Sequence, residues 1–209
     1  MTRRSKDYAR PDHHTRAAKA AGYPARSVFK LEEIHRRYRL FKPGQHVLDL
    51  GAAPGSWSLY ASQCVGPSGR VLAVDLTEIT EALPKNVVAR QLDVFSAERA
   101  TLAEHGPYQV VLSDMAPRTS GNKARDQALS YELCAKALAV ADDLGAPESF
   151  FVVKLFMSPE FAELKRAIMA RYTECRVVRP EATRSQSTEV FLVGLGRKIT
   201  PNPASPAAV

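Results

Sequence analysis

The sequence predicts an α/β fold, in which a seven-stranded, mostly parallel sheet with a Rossmann-like arrangement carries helices on both faces. Short apolar runs alternate with segments of helical periodicity, as in proteins built from βα units. Carboxylates follow four of these apolar runs, at the edge where parallel sheets bind ligands. A chain of 209 residues is long enough for one such domain and short for two.

The strands are predicted where aliphatic, aromatic and β-branched residues cluster between turn residues. These segments are residues 46–50, 70–75, 86–92, 108–114, 149–155, 175–178 and 188–193. No convincing helical pattern separates the last two. We therefore expect them to pair as a hairpin, which makes one strand antiparallel.

The helices are predicted where apolar residues recur at helical spacing. They cover residues 25–40, 56–64, 96–104, 126–144 and 159–172. In the first helix, an apolar stripe of Val28, Leu31, Ile34 and Tyr38 is bordered by Lys30. We expect a basic N-terminal arm over residues 1–22, a single domain over 23–198 and a disordered tail over 199–209.

Basic residues are concentrated near the N-terminus of a chain that carries a net charge of +7. This distribution favours contact with the phosphates of RNA over the alternative of a solubilising tail. The residues predicted to bind RNA are Arg3, Arg4, Arg16, Lys19, Arg26, Arg36 and Arg37.

Several classes of protein are disfavoured by what the sequence lacks. No apolar run approaches the ~20 residues of a membrane span, and no apolar segment follows the N-terminal charges as in a secretory signal. Cys64, Cys134 and Cys175 are far apart and lack metal-ligand spacing. We expect reduced thiols, no metal and a cytoplasmic protein that does not bind membranes.

The strand ends predict the cofactor. Gly51 and Gly55 form a G-x-x-x-G turn after the first strand, which matches neither the dinucleotide fingerprint nor the Walker pattern. The surrounding carboxylates would repel a pyrophosphate but would complement a cationic nucleoside, namely S-adenosylmethionine. The predicted cofactor-binding residues are Asp49, Gly51, Gly55, Trp57, Asp75, Asp93 and Asp114.

Lys154 is a cation inside the apolar run Phe-Phe-Val-Val-Lys-Leu-Phe. A lone lysine in such a strand usually extends to the surface. Together with the strand-end carboxylates, however, it indicates a functional site, because an ammonium moved out of water without a partner costs several kcal/mol.

Five segments of the chain resemble the FtsJ/RrmJ (RlmE) family of RNA ribose 2′-O-methyltransferases. They are GYPARSVFKL from Gly22, VLDLGAAPGSW from Val47, SDMAP from Ser113, FVVK from Phe151 and STEVF from Ser187. The resemblance implies a class I methyltransferase fold and a catalytic tetrad of Lys30, Asp114, Lys154 and Glu189. Ser56 stands where the family commonly has a second glycine, and Gly145-Ala-Pro-Glu-Ser replaces a usual Pro-Gly-Gly-type turn.

The resemblance further implies transfer of a methyl group from S-adenosylmethionine to a uridine ribose of 23S ribosomal RNA in the peptidyl-transferase region. In this hypothesis Lys154 accepts the proton of the 2′-hydroxyl, and Asp114 orients the Lys154 side chain. We expect a monomer whose partner is ribosomal RNA in the large subunit. The alternatives are a transfer RNA ribose methyltransferase, a non-catalytic RNA-binding protein on the same fold, and a nucleotide-dependent oxidoreductase, against which the missing dinucleotide fingerprint argues.

Overall fold

The structure is a computed structural model that describes residues 13–199, which form six helices and seven strands. In chain order these are α1 (His13–Ala20), α2 (Val28–Tyr38), β1 (His46–Leu50), α3 (Ser56–Val65), β2 (Arg70–Asp75), β3 (Val87–Gln91), α4 (Arg99–Leu102), β4 (Tyr108–Ser113), α5 (Lys123–Leu144), β5 (Gly145–Phe156), α6 (Phe161–Arg171), β6 (Tyr172–Val178) and β7 (Glu189–Arg197).

All seven strands join one sheet in the order β3-β2-β1-β4-β5-β7-β6. Strands β3, β2, β1, β4 and β5 are parallel to one another, and β7 runs antiparallel to both β5 and β6. The predicted α/β fold with one reversed strand is confirmed, and β7 is that strand. The strand order reverses between β1 and β4, where ligands bind in open α/β sheets.

Neighbouring residues of a strand enter opposite apolar cores, because successive side chains point to opposite faces of a sheet. Val47 of β1 packs in the core that contains Leu31 of α2 and Ala61 of α3. Leu48 packs in the other core, with Leu138 of α5 and residues of α6. Helices cover both faces, which explains why the central strands read as almost continuous apolar runs.

The segment predicted as a basic arm contains the helix α1, which the sequence did not reveal. Its one buried residue is Ala18, whose carbonyl accepts a hydrogen bond from the Tyr23 amide. The rings of His14 and Phe29 lie 5.9 Å apart, so α1 rests on the start of α2. Residues 1–12 and the predicted tail from Thr200 lie outside the described residues.

Several other elements differ from their predicted limits. Strand β6 begins at Tyr172 instead of residue 175, β7 ends at Arg197 instead of residue 193, and α5 begins at Lys123 instead of residue 126. Strand β5 begins at Gly145 instead of residue 149. Tyr108 of β4 pairs with Gly145, whereas Val110 pairs with Phe150, so the intervening residues of β5 form a bulge in which Glu148 has φ 61°. The helix predicted over 96–104 is a single turn, Arg99–Leu102.

Within residues 13–199, no helix combines the length and the apolar character needed to cross a membrane.

Candidate active site

A cavity of about 410 Å³ opens at the carboxyl ends of β1 to β4. Here α3 leaves β1 toward one face of the sheet, and α5 follows β4 on the other face. The cavity is lined by three carboxylates, backbone and mostly apolar side chains, a mixture typical of small-molecule sites. The lining residues are Leu50, Gly51, Ala53, Val74, Asp75, Leu76, Thr77, Leu92, Asp93, Val94, Phe95, Asp114, Met115, Ala116 and Leu133.

Two of the predicted cofactor carboxylates also hold the loops of this cavity in place. Asp75 accepts hydrogen bonds from the amides of Ala53, at 2.9 Å, and Thr77, at 2.7 Å. Asp93 accepts one from the Phe95 amide at 2.9 Å. Each carboxylate oxygen has further lone pairs, so both groups can still accept hydrogen bonds from a ligand.

Gly51 allows the turn after β1 to lie against the loop after β4. A Cβ atom at this position would lie 2.6 Å from the Met115 side chain and 2.7 Å from its backbone nitrogen. The residue also has φ 77°, a conformation that other L-residues rarely adopt. Glycine is therefore required here for both backbone shape and space.

Asp49, Gly55 and Trp57 are outside the lining of this cavity, although the sequence predicted all three to bind the cofactor. The Asp49 side chain is fully buried and accepts a hydrogen bond of 2.6 Å from the Ser58 hydroxyl, while its second oxygen has no partner. Burial raises the pKa of this carboxyl from 3.8 to about 7, with smaller contributions from Asp114 and Asp75.

Lys154 and Asp114 form the first pair of the predicted tetrad. Lys154 is only 8% exposed, and its Nζ atom lies 2.8 Å from Oδ1 of Asp114. The directional hydrogen bond of Nζ goes instead to the Asp114 main-chain carbonyl, at 2.6 Å. The carboxylate contact is thus an ion pair by distance, without hydrogen-bond alignment.

Lys30 and Glu189 form the second pair, through a direct hydrogen bond between Nζ and Oε1. Each side chain is 12% exposed. The sequence separates these residues by almost the whole domain, and the fold joins the N-terminal part of α2 to the first residue of β7.

The two pairs lie on one face of the sheet. Lys154 stands directly opposite Phe191 in the β5–β7 register, and opposed residues of antiparallel strands share a face. Glu189 is two residues from Phe191 and projects to that same face. The Lys30 Nζ atom is 5.9 Å from the centroid of the Phe191 ring. The structure therefore brings all four predicted catalytic residues to one place.

The turn after β1 holds the segment that carries Lys30. The Ser56 hydroxyl accepts a hydrogen bond of 2.8 Å from the Ala25 amide, and the Trp57 indole donates one of 2.9 Å to the Ser27 carbonyl. The Trp57 ring also packs against Phe191, with centroids 5.8 Å apart. Trp57 thus contacts both elements that contribute the Lys30–Glu189 pair.

The basic residues predicted to bind RNA are carried by α1, α2 and the segment between them, where the structure describes them. Arg16 and Lys19 lie on α1, and Arg36 and Arg37 lie in the last turn of α2. Arg3 and Arg4 are outside the described residues.

Arg26 lies next to the tetrad, with a hydrogen bond to the Ala182 carbonyl in the β6–β7 loop. Burial and Arg184 lower the pKa of Arg26, and Glu189 opposes this shift. Sequence reasoning missed Arg184, because nothing in the local pattern indicates that the β6–β7 loop reaches α2. A hydrogen bond from the Glu181 amide to the Glu33 side chain makes that connection.

Cys64, Cys134 and Cys175 are all free thiols. Among residues 13–199, no group of three His, Cys, Asp or Glu side chains comes together as a metal site would require.

Comparison with known proteins identifies the relatives of this chain. A family model described as FtsJ-like methyltransferase matches residues 23–197. The ribosomal RNA large subunit methyltransferase E of Sorangium cellulosum is 58% identical over 191 residues, covering 91% of this chain and 90% of that protein. The protein of the same name from Nitratidesulfovibrio vulgaris (strain DSM 19637 / Miyazaki F) is 50% identical over 188 residues, covering 88% and 94%.

Among solved structures, a Plasmodium falciparum protein provisionally described as a ribosomal RNA methyltransferase superposes with a TM-score of 0.71 at 20% identity. The match covers 84% of this chain and 98% of that one, and it shows a shared fold.

Proposed function

Because this chain belongs to the FtsJ-like methyltransferase family, we propose that it transfers a methyl group from S-adenosylmethionine to a ribose 2′-hydroxyl of large-subunit ribosomal RNA. The observation that carries the proposal is the convergence of the Lys154–Asp114 and Lys30–Glu189 pairs on one face of the sheet. Asp114 belongs to this group and also lines the cavity, so the same residue would border both the attacking 2′-oxygen and the cofactor.

The cavity suits S-adenosylmethionine in size and in chemistry. Asp75 would accept hydrogen bonds from the ribose hydroxyls of the cofactor, and Asp93 would accept one from the adenine amine. Gly51 gives backbone access at the turn. Asp49, Gly55 and Trp57 would shape this turn from behind, since they do not line the cavity.

Bound S-adenosylmethionine would supply a methyl group on a positively charged sulfur, which the 2′-oxygen takes as the sulfur–carbon bond breaks. The protein must hold the 2′-hydroxyl in line and remove its proton. Lys154, in its neutral form, would accept that proton at Nζ. Asp114 would hold Nζ through the two contacts described above, and Lys30 and Glu189 would orient the ribose.

The RNA backbone would be bound away from the carboxylates that line the cavity, because they repel phosphate. Arg26 lies beside the tetrad, Arg16 and Lys19 lie on α1, and Arg36 and Arg37 lie at the opposite end of α2 from Lys30. Contacts of these cations with phosphates would release counterions from the RNA backbone. Arg3 and Arg4 would extend this surface.

The names of the relatives support ribosomal RNA of the large subunit over transfer RNA as substrate. We propose a uridine of 23S ribosomal RNA in the peptidyl-transferase region as the target, and a cytoplasmic, monomeric enzyme.

The test is transfer of labelled methyl from S-adenosylmethionine to unmethylated large ribosomal subunits, with ribose methylation mapped in ribosomal and transfer RNA. Lys154→Ala and Lys154→Arg are expected to lose about 10²- to 10⁴-fold in kcat, the usual contribution of general acid–base catalysis. Lys165→Ala, on α6 at the opposite face of the sheet, is the matched control and should retain activity.

Methylation confined to transfer RNA would refute ribosomal RNA as the proposed substrate. Absence of methyl transfer to any RNA would refute the proposed reaction. Near wild-type turnover of either Lys154 variant would refute its role as the base.

A further inference from the structure

We propose that the ring of Phe156 is the surface on which the base of the target nucleotide stacks, which makes Phe156 a determinant of RNA substrate use. The proposal rests on the proposed function, because it names the part of the RNA that the same site holds.

Phe156 is the last residue of β5 and stands directly opposite Glu189 of β7. Opposed Cβ atoms in antiparallel strands are about 4.5–5.5 Å apart and point to one face. Lys154, two residues earlier on the same strand, projects to that face as well. The ring therefore borders both ion pairs of the tetrad at the open end of the strands.

The ring is not needed by the hydrophobic core. Of the other phenylalanines in β5, Phe151 is fully buried in one core and Phe150 packs against the other. Phe156 is half-buried and belongs to neither of the two clusters formed by the described residues. A partly exposed aromatic ring beside four charged groups is poorly explained by folding alone.

The backbone under the ring is fixed from two sides. The Phe156 amide donates to the Ser130 hydroxyl of α5 at 3.1 Å, and the Met157 amide donates to the Thr188 carbonyl at 2.9 Å. The Gln127 side chain donates to the Met157 carbonyl. A surface held in this way loses little freedom when a ligand binds, which favours affinity.

A nucleobase is the ligand that fits this place. The base is joined to the same sugar ring as the 2′-oxygen, so it must lie within a few ångströms of the tetrad during the reaction. Proteins that act on unpaired nucleotides commonly stack the base on an aromatic side chain. The adenine of the cofactor is a poor alternative, because Phe156 does not line the cavity between the β1 and β4 ends.

The experiment compares Phe156→Ala, Phe156→Leu and Phe156→Tyr with the wild-type enzyme on unmethylated large ribosomal subunits. Stacking of one base is worth about 1–3 kcal/mol, so the alanine variant should lose about 5- to 150-fold in kcat/KM for the subunits. Tyrosine should restore activity, while leucine, which fills space without an aromatic face, should restore it only in part. Affinity for S-adenosylmethionine should be unchanged.

Phe95→Ala is the matched control, because Phe95 is a 51% exposed aromatic residue that lines the cavity. It should weaken cofactor binding and leave the KM for subunits unchanged. The proposal is overturned if Phe156→Ala keeps wild-type kcat/KM, if leucine replaces phenylalanine without loss, or if the Phe156 variants lose cofactor affinity instead. Failure of the wild-type enzyme to methylate any RNA would refute the proposed function itself.

Discussion

Replacing Asp49 with asparagine should stabilise the protein in a pH-dependent manner. The carboxyl is fully buried, and one of its oxygens has no hydrogen-bond partner. Burial raises its pKa to about 7 from 3.8. Asparagine has nearly the same shape, can still hydrogen-bond Ser58, and carries no charge at any pH.

The sign follows from proton linkage. A raised pKa means that the folded state binds the proton more tightly than the unfolded state between about pH 4 and pH 7. The stability of the wild-type protein therefore falls as the pH rises through this window. Above pH 7 the ionised, buried carboxyl of Asp49 lowers the stability by its full amount. A shift from 3.8 to about 7 corresponds to a cost of about 4 kcal/mol at about 1.4 kcal/mol per pH unit.

Urea unfolding at pH 5 and pH 8 measures the effect. The stability advantage of Asp49→Asn should increase by about 2.5 kcal/mol between these two values, because part of the penalty is already present at pH 5. Asp143→Asn is the control, since Asp143 forms an exposed ion pair with Arg99 and such pairs contribute less than about 1 kcal/mol. An advantage that is equal at both pH values would refute the assignment of a buried, proton-binding carboxyl.

Two further predictions concern the site and the core. Ser56→Gly removes the acceptor of the Ala25 amide, so we expect a loss of about 1 kcal/mol in stability and a lower kcat with unchanged cofactor affinity; weaker cofactor binding at constant kcat would contradict this. Burial raises the pKa of the Cys134 thiol to about 12, and because the thiolate is the reactive form, Cys134 should resist iodoacetamide at pH 8 until the protein is unfolded. Mass spectrometry of the labelled peptides measures this, and rapid labelling of Cys134 in the native protein would show that its surroundings are more open than in the structure.

The central strands were predictable because each is an apolar run bounded by turn residues, and β1 and β2 match the expected limits. The helix α1 was not predictable, because it is stabilised by contacts with α2 and not by an apolar stripe of its own. The early start of β5 depends on a bulge against β4, which has no signature in the local sequence.

The resemblance predicts the tetrad, whereas local sequence patterns do not. Lys154 is conspicuous as a cation in an apolar strand, but Lys30 and Glu189 are unremarkable in their own segments. Only the placement of β7 beside β5 brings Glu189 near the other three residues. Ser56, which stands where the family commonly has a second glycine, forms a hydrogen bond that glycine could not provide.

That hydrogen bond has a consequence for protein engineering. A chimera that imports the first-strand turn of a glycine-bearing relative would leave the Ala25 amide without its acceptor. Designers who exchange this turn should therefore transplant residues 25–27 with it, treating two stretches distant in the chain as one module.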